Sequence, residues 1–411
     1  MTVETQSESA DVFLLGAGDI RHSLGTRSQL RGLLAALGAQ HLTVHVLFLQ
    51  AYLPDLGERG VSEGDETWAT CMTFGRPTLW RVLPRPVFRF LEKVWGLGRV
   101  VGRFSALRRA GVVLMTGDLY PLVPFFSRWL PNTVYFKFGI AEELALSSGG
   151  RARLRAWWAR FSEQRMLTGV DRVAVVSEGM RRYVLERSHL PASRIPVVPC
   201  LVDLARFRYD PSERMLLRRE RGWADRLVFV YVGISAPWQC IDETFAIFRM
   251  IRQMVPRAFL WVVTPDIRAC RARLTDVTEG DCAIETLPHR AVGEALQAAD
   301  CGFLIRRRSL VNAVASPLKF AEYLAGGVPV LTGPEVGDYS SLTVKEDVGA
   351  VLDPDDPRSW TTTLPGWCRR LPEEREGFGR RCRSVAERLL SWQGAAGDLP
   401  ARLGVSLRRP T

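Results

Sequence analysis

Short, nearly uninterrupted apolar runs, each closed by a glycine or a turn, recur along this chain and alternate with segments of helical periodicity. A run of roughly four to eight residues that is apolar at odd and even positions alike fits a strand buried on both faces, which needs helices on either side of its sheet. The first is Asp11–Gly16 (DVFLLG), followed by a loop with Gly18 and Gly25 and then by Leu30, Leu33, Leu34 and Leu37 at helical spacing. Leu42–Leu49, Val112–Thr116, Thr133–Lys137, Arg172–Val176 and Pro196–Pro199 repeat this grammar. The pattern predicts a doubly wound α/β domain.

Around Val202–Pro211 the alternation pauses, then restarts at Leu227–Gly233 (LVFVYVG). Strands are expected at Ala258–Val263, Cys282–Glu285, Cys301–Ile305 and Val328–Leu331, and helices at Asp242–Met254, Ala291–Ala299 and Pro317–Ala325. The expected fold class is therefore α/β, with two Rossmann-like doubly wound domains at residues 11–203 and 204–372. Residues 1–10 are expected to be disordered, and residues 373–411 to form a helical tail packing back on the first domain, with Val385, Leu389 and Trp392 along one helix face. Two such domains would leave a cleft between the carboxyl ends of their sheets, the default ligand site of open α/β folds.

The length of 411 residues suits this division, and the composition narrows the function classes. No run approaches the ~20 apolar residues of a spanning helix. The polar start Met1–Ala10 lacks the pattern of a secretory or transit segment, so a cytoplasmic protein is expected. The formal charge is +11, yet only Lys93, Lys137, Lys319 and Lys345 among the 55 basic residues are lysines, a ratio more like codon bias than guanidinium chemistry at every site. The arginines are dispersed and no nucleic-acid motif is present, so no nucleic-acid partner is expected. The eight cysteines form no CxxC pair and read as small buried hydrophobes, and the five histidines have no metal-ligand spacing.

Ser309–Thr332 (SLVNAVASPLKFAEYLAGGVPVLT) is the most informative segment. Ser316 is expected as the N-cap, Pro317 as the first helical residue, and Gly326-Gly327 as the stop before the next strand. The first turn of such a helix, with free N–H groups and the positive end of the dipole, is an anion site. Lys319 in that turn opposes the dipole, a conflict that a bound phosphate between them would resolve. Glu322 lies within reach of hydroxyls on the same ligand.

SPLKFAEYLAGGVPV resembles the donor-binding helix of GT-B glycosyltransferases of the family-four type, in which the glutamate matching Glu322 holds the nucleotide ribose. VAVVSEGM (Val173–Met180), IPVVPCLVDLARF (Ile195–Phe207), VFVYVGISAPWQCID (Val228–Asp242) and LPHRAVGEALQAADCGFLI (Leu287–Ile305) resemble further parts of that family in the same order. The resemblance implies a GT-B fold and sugar transfer from a nucleotide diphosphate, UDP being the guess for the nucleotide, to a hydroxyl or amine with retention at the anomeric carbon. No cofactor and no metal are implied; the nucleotide sugar is a co-substrate. LDPDDP (Leu352–Pro357) is read as a surface turn.

Carried onto this chain, the resemblance makes Glu322, Lys319 and Arg308 the candidate catalytic residues. Gly25, Gly233, Gln239, His289, Asn312, Ser316, Pro317 and Leu318 become the candidate donor-binding residues, with Arg27, Glu142 and Glu143 on the acceptor side. Several family positions differ. The first of the paired glutamates falls on Val314, the usual phosphate-binding arginine and lysine fall on Ile234 and Gln239, and the usual acceptor-side histidine falls on Phe138. Positive charge for a diphosphate then has to come from Lys319 with Arg306, Arg307 or Arg308. The competing expectation is a GT-B protein that binds nucleotide or glycan without turnover.

Between Trp80 and Arg109 eight basic residues stand against the single acid Glu92, interleaved with aromatic and aliphatic side chains. This composition suits either the anionic inner face of a membrane or an ordinary crossover with its apolar side in the core. The first alternative would make the protein peripheral to the membrane and motivates a lipid-linked acceptor, beside glycans and small molecules.

Overall fold

The computed structural model describes residues 11–17, 24–51, 57–63, 66–74, 110–117, 123, 127–130, 132–140, 152–278 and 280–405. The chain divides into two compact units, one of residues 1–176, 181–198 and 396–411, the other of residues 177–180 and 199–395. Among the described residues no helix is long and apolar enough to cross a membrane.

The first unit holds a seven-stranded sheet of β1 (Val12–Ala17), β2 (Val44–Ala51), β3 (Gly57–Glu63), β4 (Glu66–Phe74), β5 (Val112–Gly117), β6 (Thr133–Lys137) and β7 (Arg172–Val175). Its order is β3-β4-β2-β1-β5-β6-β7. All neighbours are parallel except β3 and β4, an antiparallel pair that the polar GERGVSE gives no apolar run to announce. Leu30, Leu33 and Leu37 of α1 (Leu24–Gly38) are buried, as their spacing predicts. Helices α2 (Ala152–Leu167) and α3 (Glu178–Leu185) flank β7 in sequence. The strand expected at Pro196–Pro199 is reduced to one bridge, Val175 to Val197, because prolines at both ends leave too few donors for a ladder.

The second unit is a six-stranded parallel sheet of β8 (Leu227–Val232), β9 (Ala258–Val263), β10 (Cys282–Glu285), β11 (Cys301–Leu304), β12 (Val330–Thr332) and β13 (Gly349–Val351), in the order β10-β9-β8-β11-β12-β13. Its helices are α4 (Pro211–Glu220), α5 (Ile241–Met254), α6 (His289–Leu296), α7 (Leu318–Ala325), α8 (Tyr339–Lys345), α9 (Pro357–Glu373) and α10 (Arg375–Leu389). Alternate residues of one strand enter two different cores. Val228 and Val230 pack with Trp261, Phe320, Tyr323 and Val385, whereas Leu227, Phe229 and Tyr231 pack with Phe245, Phe248, Leu364 and Phe378. Burial on both faces is why the run LVFVYV has no polar alternation.

The expected single helix face carrying Val385, Leu389 and Trp392 is corrected. The chain leaves helical geometry at Glu374 and again at Leu390, where Val202 donates to the Leu390 carbonyl at 2.8 Å and Trp392 donates to that of Val202 at 3.1 Å. That bridge claims the backbone a continuing helix would need. Leu389 consequently faces solvent with 43% exposure, while Val385 and Trp392 are buried. The described cysteines are free and buried or half-buried, and burial pushes the Cys200 and Cys382 thiols up to about 12, as expected of packing residues.

At the amino end of β11 the buried Asp300 joins strands to helices. Its carboxylate accepts from the Val228 backbone at 2.7 Å and meets Arg214, Arg218 and Arg375. The same arginines bond the carbonyls of Ala298, Ala299 and Gly327, at or just beyond the ends of α6 and α7. Burial alone would raise the Asp300 pKa, but the three guanidiniums outweigh it and hold the carboxyl below its ordinary value. This contribution is full above the ordinary carboxylate range and is lost as pH falls through the depressed pKa. Asp300→Ala is expected to lower unfolding stability by about 3–5 kcal/mol, as a lower urea midpoint at neutral pH, because it strands buried cations. An unchanged midpoint would contradict this role.

Candidate functional site

In the second unit the strand order turns at β8, which lies between β9 and β11, and Gly233 immediately follows its carboxyl end. Ligands of open α/β sheets bind at such a reversal. The helix that serves this point is α7, and one packing contact sets its position. Tyr323 lies flat on β11 because Gly302 has no side chain; a Cβ there would stand 2.8 Å from the ring. The Tyr323 hydroxyl accepts from the Val232 backbone at 3.0 Å. Lys319 is one turn earlier and therefore lies over Gly233.

Gly233 has φ +132, and a Cβ there would come within 2.6 Å of the Lys319 Cε. The Lys319 Nζ donates to Gln239 Oε1 at 3.1 Å and stands 4.8 Å from the centre of the Tyr231 ring. Among the described residues no carboxylate makes an ion pair with it. Burial, with repulsion from Arg306 added, pushes the Lys319 amine down to about 7, while Glu322 acts in the opposite direction. Glu322 is itself buried on α7. Lys319 and Glu322 thus share one helix, as their spacing predicts, and Gln239 and Gly233 join Lys319 from the loop after β8.

The expected N-cap at Ser316 is corrected. Pro317 occupies the cap position, and no side chain caps α7. The Ser316 hydroxyl instead accepts from the Cys200 backbone at 2.9 Å and pairs with the Tyr339 hydroxyl at 2.7 Å, while the Tyr339 ring stacks on Phe320 at 4.3 Å. Ser316 therefore anchors the helix start, leaving the Leu318 and Lys319 N–H groups of the first turn without a side-chain cap. Preceding backbone is pinned as well. Ser177 Oγ donates to the Val314 carbonyl at 2.7 Å, Ser309 caps the short turn Leu310–Ala313, and Asn312 donates to the Arg307 carbonyl at 2.9 Å.

The three arginines after β11 part ways. Arg306 is buried, with its guanidinium 3.4 Å from Asn312 Oδ1. Arg307 pairs with Glu243 and Asp355, and Arg308 lies 3.3 Å from Asp353 and 3.9 Å from Glu335. The DPDD carboxylates hold these two outward cations and cap α9 through Asp356. Of the three, Arg306 is the one whose charge acts on Lys319. Arg306 is one of the three arginines offered by the sequence, whereas the Tyr231–Tyr323 frame was not singled out, although the glycine–aromatic pairing of Gly302 with Tyr323 was the available signal.

Other expected residues are not all placed. Gly25 and Arg27 belong to the first turn of α1 and His289 begins α6, but their side chains lie outside the described residues. Glu142, Glu143 and the basic block at 80–109 also lie outside them. In the first unit the Lys137 that ends β6 is fully buried; its Nζ pairs with Glu163 and donates to the Gly139 carbonyl at 2.8 Å. Tyr183 donates to the same Glu163 at 2.8 Å.

Gly233→Ala tests the Lys319 niche. The new Cβ and the positive φ together are expected to lower stability by about 1–3 kcal/mol. They are also expected to move the Lys319 titration upward from about 7 as the amine is driven towards solvent. Lysine side-chain NMR can read this directly, since the chain has only four lysines. An unchanged titration would contradict the placement of the amine.

Residues 25–200 match the family described as glycosyl transferase 4-like domain. No curated protein matches the chain. Among solved structures, WaaG, a glycosyltransferase involved in lipopolysaccharide biosynthesis, is 16% identical with a TM-score of 0.65 over 94% of this chain and 98% of that one. Sucrose-phosphate synthase from Thermosynechococcus elongatus is 16% identical with a TM-score of 0.67, covering 96% and 99%. Anabaena HepE in complex with UDP-glucose is 12% identical with a TM-score of 0.65, covering 95% and 99%. At these identities the structural likeness concerns the fold, whereas the match over residues 25–200 concerns the family. Residues 25–200 are thus similar to the glycosyl transferase 4-like domain, and the fold is the GT-B fold of these solved glycosyltransferases.

Proposed function

We propose that this protein transfers a sugar from UDP-sugar to a hydroxyl or amine acceptor, with retention at the anomeric carbon and without a metal ion. The carrying observation is the enclosed Lys319 amine, which has an amide oxygen and an aromatic face around it but, among the described residues, no carboxylate in ion-pair contact. A diphosphate on the uncapped first turn of α7 would supply the missing negative charge. Lys319 and Arg306 would then stabilise the departing diphosphate, and Glu322 would hold the ribose. HepE has been solved with UDP-glucose, which supports uracil as the base and a hexose as the transferred group.

Retention in such a site follows from breaking the bond between the anomeric carbon and phosphate oxygen while the acceptor approaches from the same face. The acceptor proton passes to the departing phosphate oxygen, so stabilising that leaving group matters more than a strong protein base. Gly233, Gln239, Asn312, Ser316, Pro317 and Leu318 are assigned to the donor side, with His289 assigned to the base and Gly25 also assigned to donor binding. Arg308 assists only where a ligand draws it from Asp353. Arg27, Glu142 and Glu143 remain assigned to an acceptor that is lipid-linked, a glycan or a small molecule.

Calorimetry with UDP and UDP-sugars, followed by assays of donor hydrolysis and transfer, tests this reading. Lys319→Met and Glu322→Ala are each expected to weaken UDP binding about 10- to 100-fold, the size of a lost hydrogen bond to a charged group. Unchanged affinity in both would remove the donor site from α7. Nucleotide binding with neither hydrolysis nor transfer across a broad acceptor panel would make the protein a binding module.

Protonation gives an independent check. In the free protein the Lys319 amine is charged below about 7 and increasingly neutral above it, and a bound diphosphate favours the charged form. UDP binding is therefore expected to take up protons at mildly alkaline pH and to weaken as pH rises through and beyond that pKa. Binding enthalpies that are the same in buffers of different ionisation heat at mildly alkaline pH would contradict this.

A further inference from the structure

Lys319 projects from α7, and the segment Gly233–Cys240 between β8 and α5 brings Gln239 to it. The conformation of this segment is not one a chain adopts by preference. Gly233 stands at φ +132, and Cys240, which carries a Cβ, stands at φ +46. Left-handed backbone at a residue other than glycine persists where surrounding bonds over-determine it. Two of those bonds are local: the Ile234 carbonyl accepts from the Tyr231 hydroxyl at 2.7 Å, and Gln239 donates to the Ala236 carbonyl at 2.9 Å. Others reach the neighbouring strand. The Gly233 N–H donates to the Val263 carbonyl at 2.9 Å, and Ser235 donates to Asp266 Oδ2 twice, from its N–H at 2.7 Å and from its hydroxyl at 3.0 Å.

Asp266 reaches Ser235 at the expense of its own surroundings. It stands at the N-cap position of the short helix Ile267–Arg271, where an aspartate ordinarily accepts from N–H groups of the first turn, and it makes no such bond. The backbone beneath it is fixed in turn. Its N–H donates to the Thr264 hydroxyl at 3.0 Å, Thr264 is buried, and the Thr286 hydroxyl donates to the Thr264 carbonyl at 2.7 Å. Ser235, Thr264 with Asp266, and Thr286 follow the carboxyl ends of β8, β9 and β10, three neighbours in the sheet. A chain of hydrogen bonds therefore braces the Gln239 segment against two further strand ends.

We infer that Asp266 is a positioning residue for the diphosphate site: through Ser235 it holds Gly233–Cys240 where the Gln239 amide oxygen meets the Lys319 amine. This role rests on the transferase reading for its ligand, but not for the placement of the amine. Both Ser235 bonds end on one oxygen, so the clamp depends on an acceptor at that place more than on a second carboxylate oxygen. Asparagine, with one carbonyl oxygen there, can accept both bonds, and alanine can accept neither.

Lysine side-chain NMR on the ligand-free full chain and calorimetry of UDP binding, both well below the melting temperature, test this in Asp266→Ala and Asp266→Asn. Burial is the largest cause of the lowered Lys319 pKa, so a released segment that admits water is expected to move the titration upward from about 7 in Asp266→Ala. UDP affinity is expected to fall about tenfold in the same variant, the size of one lost hydrogen bond to a charged group. Asp266→Asn is expected to restore both readings. A clamp that serves only the fold would lower the melting temperature of Asp266→Ala and leave the Lys319 titration and the UDP affinity of the folded protein as they were; that result would overturn the inference. An Asp266→Asn variant as impaired as the alanine would overturn it as well. Failure of the unsubstituted chain to bind UDP would count against the transferase reading, while the ligand-free titration would still decide whether Asp266 holds the segment in place.

Discussion

The contact between Tyr323 and Gly302 governs the carboxyl end of the sheet in the second unit. A helix packed on a parallel sheet can slide or roll unless some feature fixes it, and here an aromatic ring occupies the space that a side chain on β11 would fill. Its hydroxyl then bonds the last residue of β8. Two adjacent strands are thereby registered against α7, and Lys319, one helical turn away, is placed over Gly233 at the reversal of strand order. The second glycine completes the arrangement by leaving room for the amine. Backbone N–H groups, an enclosed cation and Glu322 are thus presented from one rigid helix, which suits a site that must stabilise a leaving group without rearranging.

Fold and site were legible to different depths. The buried strands announce themselves because residues facing both cores must be apolar, so LVFVYV and AFLWVV can scarcely be read otherwise. The pair β3 and β4 lacks that signature, since GERGVSE is polar and its pairing comes from the strand beside it. Helix ends were the weaker reading. Ser316 has the chemistry of a cap, but Cys200 and Tyr339 compete for its hydroxyl, and those partners are 116 and 23 residues away. Ser309, whose cap is local, behaves as its sequence suggests. Local hydrogen bonds are readable from spacing; those decided by distant chain are not.

The arginine excess shows the same division. Composition gives a charge of +11 but does not say which guanidiniums face ligand. Arg214, Arg218, Arg375 and Arg383 end on carbonyls in the second unit, the last bonding those of Phe207 and Ala325. A guanidinium suits this work because its planar fork can satisfy several acceptors at once, which a lysine cannot do in fixed geometry. Arg307 and Arg308 are held by the acidic turn after β13. These six arginines of the second unit are therefore already engaged, and the single lysine on α7 matters more than its rarity would suggest.

Gln239, at a position where the resembled family usually has a lysine, then acquires a physical meaning. Two adjacent ammonium groups would repel, and each would need bulk water or a permanent carboxylate to remain charged. With an amide oxygen as its partner, one enclosed amine can sit near neutrality and become fully charged when a diphosphate arrives. Under the proposed function such a site would bind its anion with a proton and give up both more readily as pH rises, so attraction would be concentrated in the liganded state. The same swap could equally have produced a site too weak for turnover. What favours retained chemistry is that the frame beneath the amine, from Gly302 through Tyr323 to Gly233, is built to hold it in place. A lysine kept only for stability would gain nothing from being dehydrated beside Arg306, because burial without a carboxylate partner opposes folding.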